Sequence, residues 1–318
     1  WSRYYFFDEN CAYNLLFLIE AARPESHLTE GFLWVIPVDT MYVLEEKGLL
    51  GEVTFRPSQS YRMAEMLKQM DRHVYELVVK SIKNGHLELP ESYNNDEKIQ
   101  ALDFWIEYTQ FTNRKNNITD YSTEMISVLR QRAVIKERKD YTYKVPVQPL
   151  EGHRPTKLTL KAGSIDGRAF GEVSWRPALH TFDDSDVGFL EGSTLAFFEM
   201  TFRKEEEKDL YLKKLSFVDI YSLAPITEIF NPLSWKMNFG LEHIYDQNST
   251  AAFFNPGAGK AISLGGGLAY GLFNTKVRAS TGYDEGFSAG FGLEAGYIKN
   301  FGDFKGKISA NAFRYGLG

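Results

Sequence analysis

The sequence predicts a two-part α+β chain: a mostly helical N-terminal part over residues 1–140, a linker over 141–155, and an antiparallel transmembrane β-barrel over 156–318. Three observations carry this. Of the 26 glycines, 22 follow residue 150, so the two halves differ in architecture. Apolar residues recur at three-and-four spacing up to about Lys139 and at a spacing of two after Thr156. Aromatic residues make up 15% of the chain, enough for an aromatic girdle at a membrane interface.

The first helix is marked by Ala12, Leu15, Leu16 and Ile19 on one stripe, with Asp8 as its cap and Arg23-Pro24 as its stop. Further helices are predicted over 38–47, 59–83, 96–112 and 122–138; Leu102, Trp105, Ile106 and Thr109 recur at three-and-four spacing along the third of these, and the last opens on Ser122. Prolines 146, 149 and 155 mark the linker. Beyond it, about nine strand-like segments follow one another. Trp235, Met237, Phe239 and Leu241 alternate with Lys236, Asn238, Gly240 and Glu242, and Phe287, Ala289, Phe291, Leu293 and Ala295 alternate with Ser288, Gly290, Gly292, Glu294 and Gly296. Ile308, Ala310 and Ala312 continue the pattern, and turns are predicted at Asn274-Thr275, Asp284-Glu285-Gly286 and Gly302-Asp303. A transmembrane barrel turns its apolar band outward and keeps its lumen polar, which suits segments whose other face is polar or glycine. A soluble β-domain is the competing expectation. Because the last segment reaches Gly318 without an end signal, the barrel is expected to be incomplete at the C-terminus.

Composition also excludes several classes. No run approaches the ~18 apolar residues of a spanning helix. A net charge of −6 with no long basic run argues against nucleic acid as a partner. One cysteine permits neither an intrachain disulfide nor a cysteine-based zinc site. Gly265, Gly266 and Gly267 lack the lysine and helix of a phosphate loop and are read as strand positions, so no cofactor and no metal is expected. The run from Arg203 to Asp209 is read as a solvated hairpin tip.

Chemistry converges on few residues. Cys11 falls in the first turn of the first helix, where unpaired N–H groups and the helix dipole favour a thiolate, while Asp8 and Glu9 oppose it. The alternative is a small buried hydrophobe. His27, His73 and His86 are the candidate bases, and no spacing singles one out. Arg176, His180, Asp183, Asp184 and Asp186 crowd one strand end; they are read as a solvated acidic loop with an inward Arg, or else as a cation site or polar docking cluster. His153 and Arg154 at the linker exit are read as an interdomain polar contact.

Asp8-Glu9-Asn10-Cys11-Ala12-Tyr13-Asn14-Leu15-Leu16, Glu20-Ala21-Ala22-Arg23-Pro24, Ile36-Pro37-Val38-Asp39-Thr40 and Arg56-Pro57-Ser58 resemble the Lnb N-terminal periplasmic domain family of Gram-negative bacteria. Gly152-His153-Arg154, Arg176-Pro177-Ala178-Leu179-His180 with Asp183 and Gly188, and Ser234-Trp235-Lys236 resemble the β-rich region that follows in the same proteins. The family's front domain is similar to circularly permuted NlpC-type papain-like folds, in which a His-bearing strand segment precedes an Asn-Cys helix. The resemblance implies that Cys11 is the nucleophile with Asn10 before it, and that the His-bearing segment lies upstream of Trp1. The function it implies is an outer-membrane-anchored periplasmic cysteine hydrolase or acyltransferase. Outer-membrane lipid is the expected partner, and cell-wall peptide, lipoprotein or lipid acyl groups the expected substrate classes. The alternative is a non-enzymatic barrel protein with a periplasmic binding or scaffolding module.

Overall fold

The computed structural model describes residues 5, 9–32, 34–118, 122–206, 208–245, 248–302 and 304–317. The chain divides into two compact units, one of residues 1–51 with 147–318 and one of residues 52–146.

The first unit begins with α1 (Cys11–Ala22). Asp8 lies outside the described residues; Asn10 caps the helix, its Oδ1 accepting from the Ala12 and Tyr13 N–H groups at 3.0 and 3.2 Å. The expected single apolar stripe is broader. Leu16 is buried against Leu28 and Leu44, yet Leu15, Phe17 and Leu18 are all more than half exposed. After a short 3-10 turn at Pro24–Ser26, Glu20 reaches forward and its Oε2 accepts from the Leu28 N–H, the Thr29 N–H and the Thr29 hydroxyl at 3.1, 2.8 and 2.7 Å. α2 (Pro37–Glu46) starts on Pro37, whose missing N–H costs nothing at that position.

The second unit is helical. The predicted 59–83 helix is two, α3 (Gln59–Lys68) and α4 (Arg72–Asn84). The break falls at Asp71 because buried Gln100 satisfies it from across the unit: Asp71 N–H donates to Gln100 Oε1 and Gln100 Nε2 donates to Asp71 Oδ2, both at 2.8 Å. α5 (Asn95–Lys115) supplies Gln100, opens on a reciprocal Asn94–Glu97 capping box and buries Leu102, Phe104 and Trp105. α6 (Thr123–Val134) is capped by Ser122 and packs Met125 and Val128 inward. Among the described residues, no helix is long and apolar enough to cross a membrane.

The rest of the first unit is one eleven-stranded sheet: β1 (Lys157–Ile165), β2 (Arg168–Arg176), β3 (Ala178–His180), β4 (Ser193–Glu205), β5 (Lys208–Ser222), β6 (Pro225–Ile226), β7 (Ser234–Ile244), β8 (Ser249–Leu264), β9 (Gly267–Ala279), β10 (Phe287–Phe301) and β11 (Phe304–Leu317). Nine strands pair antiparallel in the order β1-β2-β4-β5-β7-β8-β9-β10-β11; β3 adds to β4, and β6 pairs parallel with β8. Among the described residues β1 and β11 are not paired with each other, so the sheet is not closed into a barrel.

It is nevertheless strongly curled. Tyr221 on β5 and Glu294 on β10 are four strands apart, about 19 Å in a flat sheet. The Tyr221 hydroxyl lies 3.4 Å from Glu294 Oε1, and Lys236 on β7 donates to Glu294 Oε2 at 2.6 Å. Only a concave face that wraps round brings these side chains together.

One predicted turn and one predicted strand stretch are corrected. Asn274-Thr275 sits inside β9, because Asn274 is an inward position whose Nδ2 donates to Glu294 Oε2 at 3.2 Å. Gly265 and Gly266 are the turn between β8 and β9 rather than strand positions, with φ of 56° and 77°. A two-residue hairpin loop needs positive φ at both places to match strand twist, and glycine supplies it without strain. The charged run after Phe202 is also less solvated than its composition suggests: Arg203 and Glu205 are buried, because β4 continues through them and points both inward. Arg203 Nε donates to Glu172 Oε1 at 2.6 Å, and Glu205 Oε1 accepts from the Tyr211 and Tyr245 hydroxyls at 2.6 and 2.9 Å.

The two faces are inverted relative to a water-soluble sheet. Along β10, Ser288 and Glu294 are buried, while Phe287, Phe291 and Leu293 are exposed, Leu293 by 65%. On β9, Asn274 is buried and Phe273 and Val277 are exposed; on β7, Lys236 is buried and Trp235 exposed. The inward charges neutralise one another across strands. Lys276 and Arg278 donate to Glu242 at 2.9 and 2.6 Å, and Lys213 joins Arg203 on Glu172. On the concave side Phe182, Leu223, Leu268, Tyr270, Leu272 and Ile298 pack together into an apolar cluster.

Candidate functional site: an exposed thiol and a buried ionic cluster

Cys11 occupies the first position of α1 and is exposed. Its neighbour Asn10 is buried and works in two directions. Nδ2 donates to the Val35 carbonyl at 2.7 Å, tying the helix start to the chain leading into α2, while Oδ1 takes the Ala12 and Tyr13 N–H groups. Of the first-turn donors, the Cys11 N–H is therefore the one that the Asn10 side chain does not occupy. The Asn10 side chain thereby positions the helix start. The candidate bases have partners of their own: His27 pairs with Glu30 at 2.9 Å, while His73 and His86, in the helical unit, pair with Glu97 and Glu88 at 2.8 and 3.4 Å. Among the described residues of its own unit, no hydrogen bond joins Cys11 to a histidine.

The second cluster is built where the chain enters the sheet. Arg176 ends β2, His180 ends β3, and the loop from Thr181 to Gly192 folds back over both. The solvated-loop reading is corrected: Arg176, His180 and Asp184 are 4%, 3% and 8% exposed. Asp184 is the organiser. Its Oδ2 accepts from Arg176 Nη1 at 2.5 Å, from the Thr181 N–H at 2.8 Å and from the Thr181 hydroxyl at 3.0 Å, and its Oδ1 accepts from Lys157 Nζ at 2.6 Å. Asp186 accepts from Lys305 Nζ at 2.6 Å and from Asn300 Nδ2 at 3.0 Å, which fastens the loop to the β10–β11 end of the sheet. Asp183, the acid named from the sequence, is exposed and meets this network through its backbone carbonyl, which accepts from Lys157 Nζ at 3.4 Å. Arg154 leaves it too, lying 3.8 Å over the Tyr42 ring and donating to Glu46 Oε1 at 2.7 Å. The Tyr42 hydroxyl points at the Pro149 and Gly152 carbonyls at 3.3 and 3.4 Å. The last residues of the expected linker are thus packed against α2. They are equally tight against the loop: Gly188 has φ of 76°, and a Cβ there would meet the Gln148 carbonyl oxygen at 2.7 Å.

His153 joins this cluster. Its Nε2 is 2.9 Å from His180 Nδ1, and the Phe189 ring stacks on both imidazoles at 4.6 and 4.3 Å. His153, His180 and Asp184 place one donor atom each within 4.8 Å of the others. The arrangement does not suit a metal ion. The Asp184 oxygens already hold two cations, and the two ring nitrogens meet head-on, since a centroid separation of 5.2 Å leaves no angle between a 2.9 Å contact and two ring radii.

Burial pushes the Asp184 carboxyl up, but hydrogen bonds from Lys157, Arg176 and Thr181 outweigh it and hold the group well below the usual carboxylate range. Asp186 is likewise raised by burial and lowered further by His180, Lys305 and Asn300, to about 2. Depressed folded values mean that this stabilisation is complete above the unfolded value of ~3.9 and is lost as pH falls through about 2. In the purified protein, near-UV circular dichroism is expected to be constant from pH 7 to 5 and to collapse progressively below ~4; a signal unchanged at pH 2 would refute the network's role.

These features describe a two-part protein: a helix-borne thiol and a helical unit together with a curled sheet whose charged side faces in. The chain belongs to the family defined by the domain of unknown function DUF7840, which matches residues 146–318 and so more than half of it. Residues 1–47 match the Lnb N-terminal periplasmic domain, and residues 53–143 match a second domain of unknown function, DUF7842. The periplasmic match identifies an envelope protein of the Gram-negative type. No curated protein and no solved structure matches the chain.

Sequence reasoning named His153, Arg176 and His180 and missed Asp184 as their organiser. A signal was present, since Asp184 follows His180 by four residues and lies within a three-acid run. It could not separate three carboxylates within four residues, of which Asp184 and Asp186 turn inward and Asp183 does not. Phe189 carried no sequence signal of its role.

Proposed function

We propose that this is an outer-membrane protein whose curled sheet is the wall of a transmembrane β-barrel. Its front residues present Cys11 for acyl transfer or amide hydrolysis on the periplasmic side. The observation that carries the membrane reading is the inversion of the sheet. Phe254, Phe273, Phe291, Leu293 and Ile308 are 46%, 53%, 53%, 65% and 73% exposed on one face, while Glu172, Arg203, Lys236 and Glu294 are buried on the other. Water would reverse that preference; hydrocarbon around an ionic lumen explains it. For the chemistry, Cys11 is the nucleophile, its own N–H at the helix start is an oxyanion donor, and Asn10 holds that start in place. The thiol's proton goes to a histidine, and among the described residues of its own unit none is hydrogen-bonded to it. Cell-wall peptide, lipoprotein and lipid acyl groups are the substrate classes that fit the location. The pairing of His27, the candidate base of the same unit, with Glu30 favours the second reading, a barrel protein with a non-enzymatic periplasmic module.

Two measurements test this. A barrel folds only with detergent or lipid and migrates differently on a gel before and after boiling; a chain that folds in plain buffer would defeat the membrane reading. Cys11→Ala in the full-length protein is expected to lower turnover at least ~10³-fold, the usual cost of removing a nucleophile. Unchanged turnover or phenotype would leave the non-enzymatic module as the answer.

A further inference from the structure

The loop from Thr181 to Gly192 is fastened to strands that are far apart in pairing order. Asp184 bonds Lys157 on β1 and Arg176 on β2, and Asp186 bonds Asn300 on β10 and Lys305 on β11. β2 and β10 are six pairings apart, about 29 Å in a flat sheet, whereas Asp184 and Asp186 are separated by at most about 7 Å of chain. The end of the loop is held at the middle of the sheet, where the Leu223 N–H, just past β5, donates to the Gly192 carbonyl at 2.8 Å. A short segment tied to both edges and to the middle of a curled sheet lies across its opening.

Phe182 is the part of the loop that enters the concave side. It is 7% exposed and packs with Leu223, Leu268, Tyr270 and Ile298. Its ring meets Tyr221 edge-on at 5.2 Å, and the Lys307 ammonium lies 4.6 Å over its face. Two cavities share it as a wall. One, of about 810 Å³, lies between the loop and the β10–β11 turn and is lined by Asp186, Asn300 and Phe304. The other, of about 200 Å³, is lined by Thr194 and Glu199 of β4 and by Asp219 and Tyr221 of β5. Phe182, Asp183 and Lys307 line both. An ion moving from the first cavity to the second must shed water beside an aromatic ring, and hydrophobic constrictions close channels by dewetting.

We propose that residues 181–192 form a plug that seals the lumen to ions, with Phe182 as its stopper, so that the barrel is an anchor and not a pore. This rests on the membrane reading above, since a lumen requires a closed barrel. The fastening of the loop across the concave side does not depend on it.

Planar-bilayer recording tests the seal, on full-length protein whose heat-modifiable gel band shows that it has folded. The wild type is expected to give no step conductance above the bare bilayer, and Phe182→Gly combined with Asp186→Ala to give steps. A conducting wild type would overturn the proposal. So would a folded but silent double variant, which would place the seal at the Lys236–Glu294 pair instead. A second measurement needs no bilayer. In a Cys11→Ser background, Thr194→Cys puts the lone thiol in the smaller cavity, where a charged methanethiosulfonate reaches it past Phe182. Adding Phe182→Gly is expected to speed the labelling at least ~10-fold, because it removes the local opening step that limits access. Equal rates would defeat the plug whether or not the chain spans a membrane, so a failed plug and a failed membrane reading give different results. If the Phe182 variants do not fold, the wild-type recording and the labelling rate of Thr194→Cys, folded against urea-unfolded, still decide.

Discussion

Asp184→Ala is expected to destabilise the first unit by about 3–5 kcal/mol, the cost of stranding one member of a buried ion pair. Arg176 is 4% exposed, and two of its three guanidinium nitrogens, Nε and Nη2, have no hydrogen-bond partner. Its charge therefore depends on the single Nη1 that bonds Asp184 and Thr181. Removing the carboxylate also frees Lys157 and the Thr181 N–H. Urea unfolding in detergent, followed by tryptophan fluorescence with Trp175 beside Arg176 as reporter, measures the effect. The double variant Asp184→Ala/Arg176→Met should recover much of the loss, because it removes the stranded charge as well as its partner. An Asp184→Ala protein within about 1 kcal/mol of wild type would mean that the cluster is not what holds the loop.

Leu293→Arg separates lipid from water around the sheet. The side chain stands near the middle of β10 on the outward face and is 65% exposed. In water such a surface exchange changes stability by at most ~0.5 kcal/mol. On the lipid face of a barrel, an arginine at the bilayer midplane costs about 2–4 kcal/mol, and less toward either interface. Folding into vesicles across a urea series, read from the heat-modifiable gel band, is expected to show the larger figure. The same exchange at Phe304, at the start of β11, should cost less if the strand end lies at an interface. A neutral Leu293→Arg would turn the apolar face into a surface that some other protein covers.

The helices and strands were legible because their periods differ, and the period of two in particular predicted which side chains share a face. Phe291 and Leu293 fall on one side and Glu294 on the other, as alternation requires. Turns were less legible. Asn274-Thr275 has turn composition but is strand, since polar residues are what the concave face wants, and a rule that equates polarity with loops fails in an inverted sheet. The same inversion buried Arg203 and Glu205 in a run that reads as a solvated tip. The 59–83 helix broke at Asp71 for a reason no local pattern holds: Gln100, 29 residues away, completes the hydrogen bonds of the break.

By itself the sequence determined the helical front, the change of architecture near residue 150, the alternation of the strands and the thiol at a helix start, because each depends on neighbours along the chain. Tertiary structure decided the rest. Which of the aspartates between 183 and 186 turn inward, how far the sheet curls, where the linker packs and which histidines meet are set by contacts between residues 27 to 121 positions apart. Such contacts leave no periodic trace, because a buried charge is tolerated only where a distant partner arrives to neutralise it.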